Sequence, residues 1–324
     1  MSPRLRFETT TPTSLGELLE PLGEADAASE GRAFVNGKRA EAGAGLKPGD
    51  WVEVYGPRRG AEQRAVVVLA TKGGLLVAEK PAGLPTTAEQ RGSRSLVQLL
   101  EEQLGEAVHP ASRLDVGVSG VVLCALGPRA TKHVAQAKER GQVRRVYVGL
   151  AALAGLDAVA DLTPAQRALS GLWDSPISDR PSRLRGAPPP PGGVPARTRW
   201  RTVAMAPPRG PRGSATSLLR LEPLTGRKHQ LRIHAARAGA PLLGDGEYGG
   251  PTSLVLPSGS VRRVQRVALH ALSVSLPDLD GRTFTVTAPV PPDLRELWSS
   301  VGGEDSSWAA AEVRGLDPED LDPS

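Results

Sequence analysis

The sequence predicts an α+β protein: a mixed, largely antiparallel, curved sheet flanked by helices and loops. Three observations carry that prediction. Segments such as RAFVN, WVEVY, QVRRVYVGL and TSLLRLEP alternate apolar and polar residues with a period of two, as half-buried strands do. Helical patterns are few, and they do not alternate with strands in the regular way of a doubly wound sheet. Aromatic residues are only 3% of the composition, against 37 glycines and 30 prolines. Alanine, valine and leucine must therefore build the core, with proline-rich loops between elements.

Taken in order, residues 1–60 form a small first unit. SLGELLEPLG reads as a short amphipathic helix ending near Gly23. RAFVN and WVEVY are strands, with turns at Asn36-Gly37 and at Pro48-Gly49-Asp50. VNGK, combined with KPGDWVEV at this spacing, resembles the end of an S4-type RNA-binding domain. LGEADAASEG is short and acidic where such domains carry an arginine-rich face, so the unit is read as a degenerate S4-like domain without strong RNA affinity.

Residues 61–300 form the larger unit. AVVVLA and LLVAEK are strands, with KPAGLPT turning directly after the second. SRSLVQLLEEQLG has helical spacing, with Ser93 or Ser95 as its cap. VVLCAL is a strand, PRATKHVAQAKERG a helix that opens on proline and closes on glycine, and QVRRVYVGL a strand. Residues 180–195, RPSRLRGAPPPPGGVP, read as an exposed loop. TSLLRLEP is a strand, RKHQLRIHAARAG a helix, and RVALHALSVSL with FTVTAP a closing pair of strands. Residues 301–324 are acidic and poor in apolar periodicity, so disorder is expected there, with Trp308 able to anchor one helical turn.

Charge and cysteine usage narrow the function classes. The net charge is +5, but residues 301–324 hold seven acidic residues and one arginine, which leaves +11 on residues 1–300. Such a body suits a polyanionic partner. The single cysteine, Cys124, lies inside VVLCAL, so it is expected to be packed and inert, and an intrachain disulfide framework is excluded. None of the five histidines stands in a metal-binding spacing such as HExxH, and no P-loop or dinucleotide fingerprint occurs, so neither a metal nor a cofactor is expected. The N-terminus has no signal-peptide core and no apolar run reaches membrane-spanning length, which leads to the expectation of a cytoplasmic, monomeric protein.

The candidate chemistry centres on Asp115 in SRLDVGVSG, between an arginine and a glycine-rich bend at the threshold of VVLCAL. Aspartate is a common turn residue, and a loop cap is the bland reading. Arg232, on the short helix after TSLLRLEP, calls for a planar anionic partner. If that partner is Asp115, the guanidinium favours the ionised carboxylate and fixes its direction with two hydrogen bonds; the alternative is a buried ion pair that only settles the fold. Tyr147, one of three tyrosines, sits on the alternating strand among Val143, Val146 and Val148, where core packing is its ordinary role.

In order, LLVAEKPAGLPT, SRLDVGVSGVVLCAL, RRVYVGL, TGRKHQLRIHAARAGAPLLGDGEYGG and RVALHALSVSLP with FTVTAPVPPDL resemble the pseudouridine synthases that modify uridines in bacterial ribosomal and transfer RNA. The resemblance covers roughly residues 66–297. It implies Asp115 as the catalytic aspartate, Tyr147 as the active-site tyrosine that packs against the target base and assists deprotonation, and Arg232 as the basic partner of the aspartate. Arg113 would help hold the flipped nucleotide, Leu242 would line the base pocket, and Arg227 and His229 would bind substrate. Two positions depart from the family pattern: Ser112 stands where histidine is usual and Val118 where threonine is usual. The implied partner is RNA, ribosomal or transfer. A noncatalytic RNA-binding protein on the same scaffold and a nucleoside hydrolase are the competing classes.

Overall fold

The computed structural model describes residues 5–29, 31–55, 66–88, 94–153, 170–178, 193–206, 215–256 and 259–312. The chain divides into two compact units, residues 1–65 with 87–99, and residues 66–86 with 100–324. In the first, β1 (Leu5–Glu8), β2 (Thr13–Ser14) and helix α1 (Leu15–Leu19) precede β3 (Ala33–Val35), β4 (Lys38–Arg39), β5 (Gly45–Leu46) and β6 (Trp51–Val54). A reciprocal capping box starts α1: Ser14 accepts from the Glu17 N–H while the Glu17 carboxylate accepts from the Ser14 N–H. The β3–β4 turn is made by Asn36 and Gly37, both at positive φ, as the sequence predicts for Asn-Gly. Strands β1, β6, β3 and β4 form an antiparallel sheet over a core that includes Leu15, Leu19, Val52 and Val54.

Ser95 caps helix α2 (Leu96–Leu104), accepting from the Gln98 N–H. The second unit is built on one ten-stranded sheet. In chain order it uses β7 (Val67–Lys72), β8 (Leu75–Lys80), β9 (Val108–Pro110), β10 (Ser119–Leu126), helix α3 (Gly127–Glu139), β11 (Arg144–Leu153), β12 (Ser170–Asp174), β13 (Arg197–Ala206) and β14 (Ala215–Pro223). Helix α4 (Gln230–Arg237), the hairpin β15 (Ser253–Val255) and β16 (Val261–Arg263), then β17 (Leu269–Pro277), β18 (Thr283–Thr287), α5 (Pro292–Ser300) and α6 (Ser306–Glu312) complete it. The order across the sheet is β12-β13-β14-β11-β17-β10-β8-β7, with β18 on β17 and β9 on β10. Every pairing is antiparallel except β10 with β17. Register shifts on β7, β11 and β13 supply the extra twist that curves such a sheet. The parallel contact depends on Gly120, at φ +116°, because a Cβ there would lie 2.1 Å from the Ala271 carbonyl oxygen.

Alternation divides the residues of β11 between two faces. Val146, Val148, Leu150 and Ala152 enter the main core with Leu218, Leu272, Leu294, Leu297 and Trp298. Tyr147, Gly149 and Ala151 therefore project from the other face, where helix α4 and the segment after it lie. Cys124 is fully buried on β10, and burial pushes its thiol up to about 12, so it is inert packing.

In the described part of the C-terminal segment, residues 301–312, the turn that Trp308 was expected to anchor is helix α6, and it packs more closely than disorder elsewhere in the segment would suggest. Trp308 is 1% exposed and joins Ala311 in the main core, and the buried Arg220 guanidinium donates to the Ala311 carbonyl. The acidic composition hides this, because only Trp308 and Ala311, one helical turn apart, form the apolar stripe. Residues 313–324 and most of the proline-rich 180–195 stretch lie outside the described residues.

Candidate active site

Asp115 owes its position to the chain on either side of it. The loop after β8 braces both neighbours: the Thr86 hydroxyl donates to the Leu114 carbonyl and accepts the Leu114 N–H, and the Gly83 N–H donates to the Val116 carbonyl. The Val118 N–H closes a turn onto the Asp115 carbonyl. Lys80 lies under the loop, 0% exposed, with Nζ donating to the carbonyls of Pro81, Leu84 and Val116 at 3.1, 2.7 and 3.3 Å. Three carbonyl acceptors match the three N–H bonds of an ammonium. Burial nonetheless pulls Lys80 down to about 7, with Arg266 adding to the fall and the Asp115 charge opposing it. The Asp115 carboxylate itself points outward, 32% exposed.

Helix α4 brings the counter-charge. Arg232 Nη1 donates to Asp115 Oδ2 at 3.1 Å. The two-bond fork goes elsewhere: Nε and Nη2 each lie 2.7 Å from an oxygen of Asp245, which is 1% exposed, and Nη2 also reaches Glu247 at 3.0 Å. The guanidinium further sits 4.9 Å over the Tyr248 ring. Burial disfavours its charge, but the Asp245 hydrogen bonds and charge, helped by Asp115, more than offset that and hold Arg232 above its usual range. His229 completes the group, with Nδ1 2.8 Å from the Tyr248 hydroxyl and Nε2 3.8 Å from Asp115 Oδ2.

On the facing strand, Tyr147 is buried and close enough for the Asp115 charge to act on it. Burial raises the phenol above its ordinary value; Arg145 opposes the rise, and the Asp115 charge adds a smaller one to it. Leu242 pairs with Ala151 as an isolated bridge, and it occupies the room left by Gly149, where a Cβ would stand 3.1 Å from Leu242 Cδ2. A partly open carboxylate and a fixed guanidinium thus stand together, with the buried Tyr147 and Leu242 on the strand face beside them. That arrangement can hold and attack a polar, planar ligand.

Comparison with known proteins shows the family of the chain. A family model described as RNA pseudouridylate synthase matches residues 74–237. The chain belongs to that family. An uncharacterized RNA pseudouridine synthase of Zymomonas mobilis is 30% identical over 237 residues, 68% of this chain and 92% of the relative. The dual-specificity RNA pseudouridine synthase RluA of Escherichia coli K12 is 29% identical over 245 residues, 74% of this chain and 98% of the relative. The solved structure of human RNA pseudouridylate synthase domain containing 1 shares the fold, with a TM-score of 0.55 and 21% identity over 78% of this chain and 97% of that one.

Within this pseudouridine synthase domain, the residues singled out in the sequence fall into two groups. Asp115, Arg232 and His229 are brought into contact, while Tyr147 lies within reach of the Asp115 charge and Leu242 lies against Gly149 and Ala151 on the same strand as Tyr147. Arg113 and Arg227 are exposed, and Arg227 Nε donates to the Pro195 carbonyl at 3.1 Å. Two expectations need correcting. The helix begins at Gln230, later than RKHQLR suggests, because His229 takes a left-handed φ of 56° at its N-terminus. Arg232 gives Asp115 one hydrogen bond where two were expected, because the Asp245 carboxylate already occupies the fork. Lys80, Asp245, Glu247 and Tyr248 carry no role in the sequence reading. Their signal is in the motifs LLVAEKPAGLPT and LLGDGEYG, as three charged residues and one tyrosine inside otherwise apolar or glycine-rich runs.

Proposed function

We propose that this protein isomerises specific uridines of ribosomal RNA to pseudouridine, breaking the N1–C1′ bond and rejoining the base through C5, with Asp115 as the catalytic residue. The observation that carries this reading is the half-open Asp115 carboxylate, braced through Leu114 and Val116 and held by Arg232. Breaking a glycosidic bond puts positive character on the sugar, which an adjacent carboxylate can capture. The detached uracil must stay in the site until C5 is presented to C1′. Tyr147 and Leu242 are its walls, and Arg113 and Arg227 on the rim meet the RNA backbone. Extruding a base from folded RNA costs a few kcal/mol, which basic contacts to phosphates offset. The isomerisation needs no redox partner or group donor, so the enzyme works without cofactor, as a cytoplasmic monomer.

Ribosomal RNA is chosen over transfer RNA because the N-terminal unit is read as S4-like, on VNGK and KPGDWVEV. The broader naming of the Escherichia coli relative as dual-specificity keeps transfer RNA as the second reading. Mapping pseudouridines by chemical labelling and sequencing, in total RNA from cells with and without this gene, tests both. A site lost from ribosomal RNA supports the proposal, a site lost only from transfer RNA replaces the substrate, and no lost site contradicts the function.

A further inference from the structure

The chain has five tryptophans, and they are not alike. Trp298 and Trp308 are each 1% exposed in the main core. Trp173 and Trp200 are only half-buried, yet they lie against each other, with ring centroids 5.4 Å apart and planes 17° from parallel. The strand register puts both on the sheet face that carries Tyr147, because directly opposed residues of antiparallel strands share a face. Tyr147 opposes Leu221 on β14, Leu221 opposes Trp200 on β13, and Trp200 opposes Gly171 on β12. Trp173, two residues along β12 from Gly171, shares that face, and its ring meets the His234 ring of α4 edge to face at 6.3 Å. Two strand spacings put Trp200 roughly 10 Å from Tyr147 across the sheet, with Leu221 fully buried between them.

The pair is held in place from below and from one side. A Cβ on Gly171 would stand 3.1 Å from Trp200 Nε1, so the glycine leaves room that the indole fills. His234, which backs Trp173, is itself fixed, with Nδ1 3.0 Å from Thr198 Oγ1 and Nε2 3.1 Å from the Ser175 carbonyl. Among the described residues, Trp200 has no second ring and no cation stacked on it. The charges beside the pair on this face are positive. Arg227 and Lys228 are exposed on the turn before α4, and Arg227 reaches over to the Pro195 carbonyl ahead of β13. Arg237, at the far end of α4, donates to Ser175 Oγ and the Pro176 carbonyl and has no carboxylate partner among the described residues. Asp174 belongs to the opposite face of β12 and is paired with Arg197.

A partly open pair of indoles in cationic surroundings suits a nucleobase on its phosphate chain, since every base has a flat π-face and stacking on aromatic rings is sequence-tolerant. We propose that Trp173 and Trp200 form a stacking platform for an unpaired nucleobase of the substrate RNA, adjacent or next to adjacent to the target uridine. This rests on the pseudouridine synthase reading and adds to it a second point of hold on the RNA. Extruding the uridine breaks its stacking on both neighbours, and a flanking base that stacks on the protein recovers part of that cost. The platform also fixes which nucleotide of the strand lies over Asp115.

Trp200→Leu is the test variant, because leucine keeps the position apolar and removes the ring. Its binding is compared with the parent's on transcripts of the mapped site that carry one abasic residue at a time on either side of the target uridine. Trp200→Leu should weaken binding of the unmodified transcript about 5- to 100-fold, as when a base loses an aromatic ring to stack on. Its single-turnover rate at saturating enzyme should stay within about threefold of the parent. One abasic position should weaken the parent by the same factor and cost Trp200→Leu nothing further, which is the coupling that stacking requires and a disturbed fold does not produce. A dissociation constant within about twofold of the parent overturns the inference, as does a loss that no abasic position cancels. If the variant does not fold, the parent itself is irradiated with transcripts carrying 5-iodouridine at the flanking positions; crosslinks at Trp173 or Trp200 are expected, and crosslinks only elsewhere overturn the platform. A parent that crosslinks at these tryptophans but makes no pseudouridine on any RNA contradicts the functional reading alone, and one that binds no RNA overturns both.

Discussion

Replacing Asp245 by Asn separates the residue that holds Arg232 from the residue thought to do the chemistry. Asp245 makes both arms of the fork, at 2.7 Å each, from a position 1% exposed. Its backbone bonds to Tyr248 and Gly250 are untouched by the change. The amide keeps one acceptor oxygen and turns an NH2 toward a guanidinium N–H, so one charge-assisted bond and the ionic attraction are lost. Such a loss costs roughly 2–4 kcal/mol, since a buried charge is left short of its partner. Glu247 and Asp115, both about one-third exposed, remain as partners and draw the guanidinium outward. In denaturant titration the midpoint should fall by that free energy at unchanged slope. At saturating RNA the single-turnover rate should drop roughly 10- to 100-fold as the Asp115 contact loses its direction, while the RNA dissociation constant stays within about threefold because Asp245 is not at the surface. A stability change below about 0.5 kcal/mol together with an unchanged rate would refute the claim that Asp245 anchors Arg232.

Lys80 and the C-terminal segment give two further expectations. As pH rises through about 7, Lys80 loses its proton, leaving two N–H bonds for three carbonyls and removing a positive charge near Asp115. The parent's single-turnover rate should therefore decline on the alkaline side, and Lys80→Met, slower throughout, should lack that limb; an identical limb in both proteins contradicts the role. Trp308→Ala should cost about 3–5 kcal/mol in denaturant titration, as large buried aromatics do, whereas an unchanged midpoint would show that helix α6 does not pack on the body.

Much of this was legible in the sequence where local pattern and tertiary role coincide. β8, β10, β11, β14 and β17 read directly, since each repeats apolar residues along a face that the sheet buries. The Asn36-Gly37 turn and the Ser95 cap follow from residues whose backbone preferences are local. Asp115, Tyr147 and Arg232 emerged from motif order, but their geometry did not. Asp245 meets Arg232 only because the chain after α4 folds back along β11, with Leu242 against Ala151, and no periodicity announces such a return. Lys80 escaped notice because lysine is ordinarily solvated, and only the loop's inward-facing carbonyls explain one at 0% exposure. The paired strands β12 and β13 have no counterpart in the sequence analysis, although RTRWRTVAMA runs as a ten-residue strand beside β14.

The central claim, that Asp115 carries the reaction, is tested most directly by Asp115→Asn in a single-turnover assay on the mapped RNA at saturating enzyme. The neutral amide keeps the size and the Arg232 contact but can serve neither as nucleophile nor as base. The account predicts no detectable pseudouridine, with RNA binding within about threefold of the parent. Pseudouridine formation within about threefold of the parent rate would contradict it.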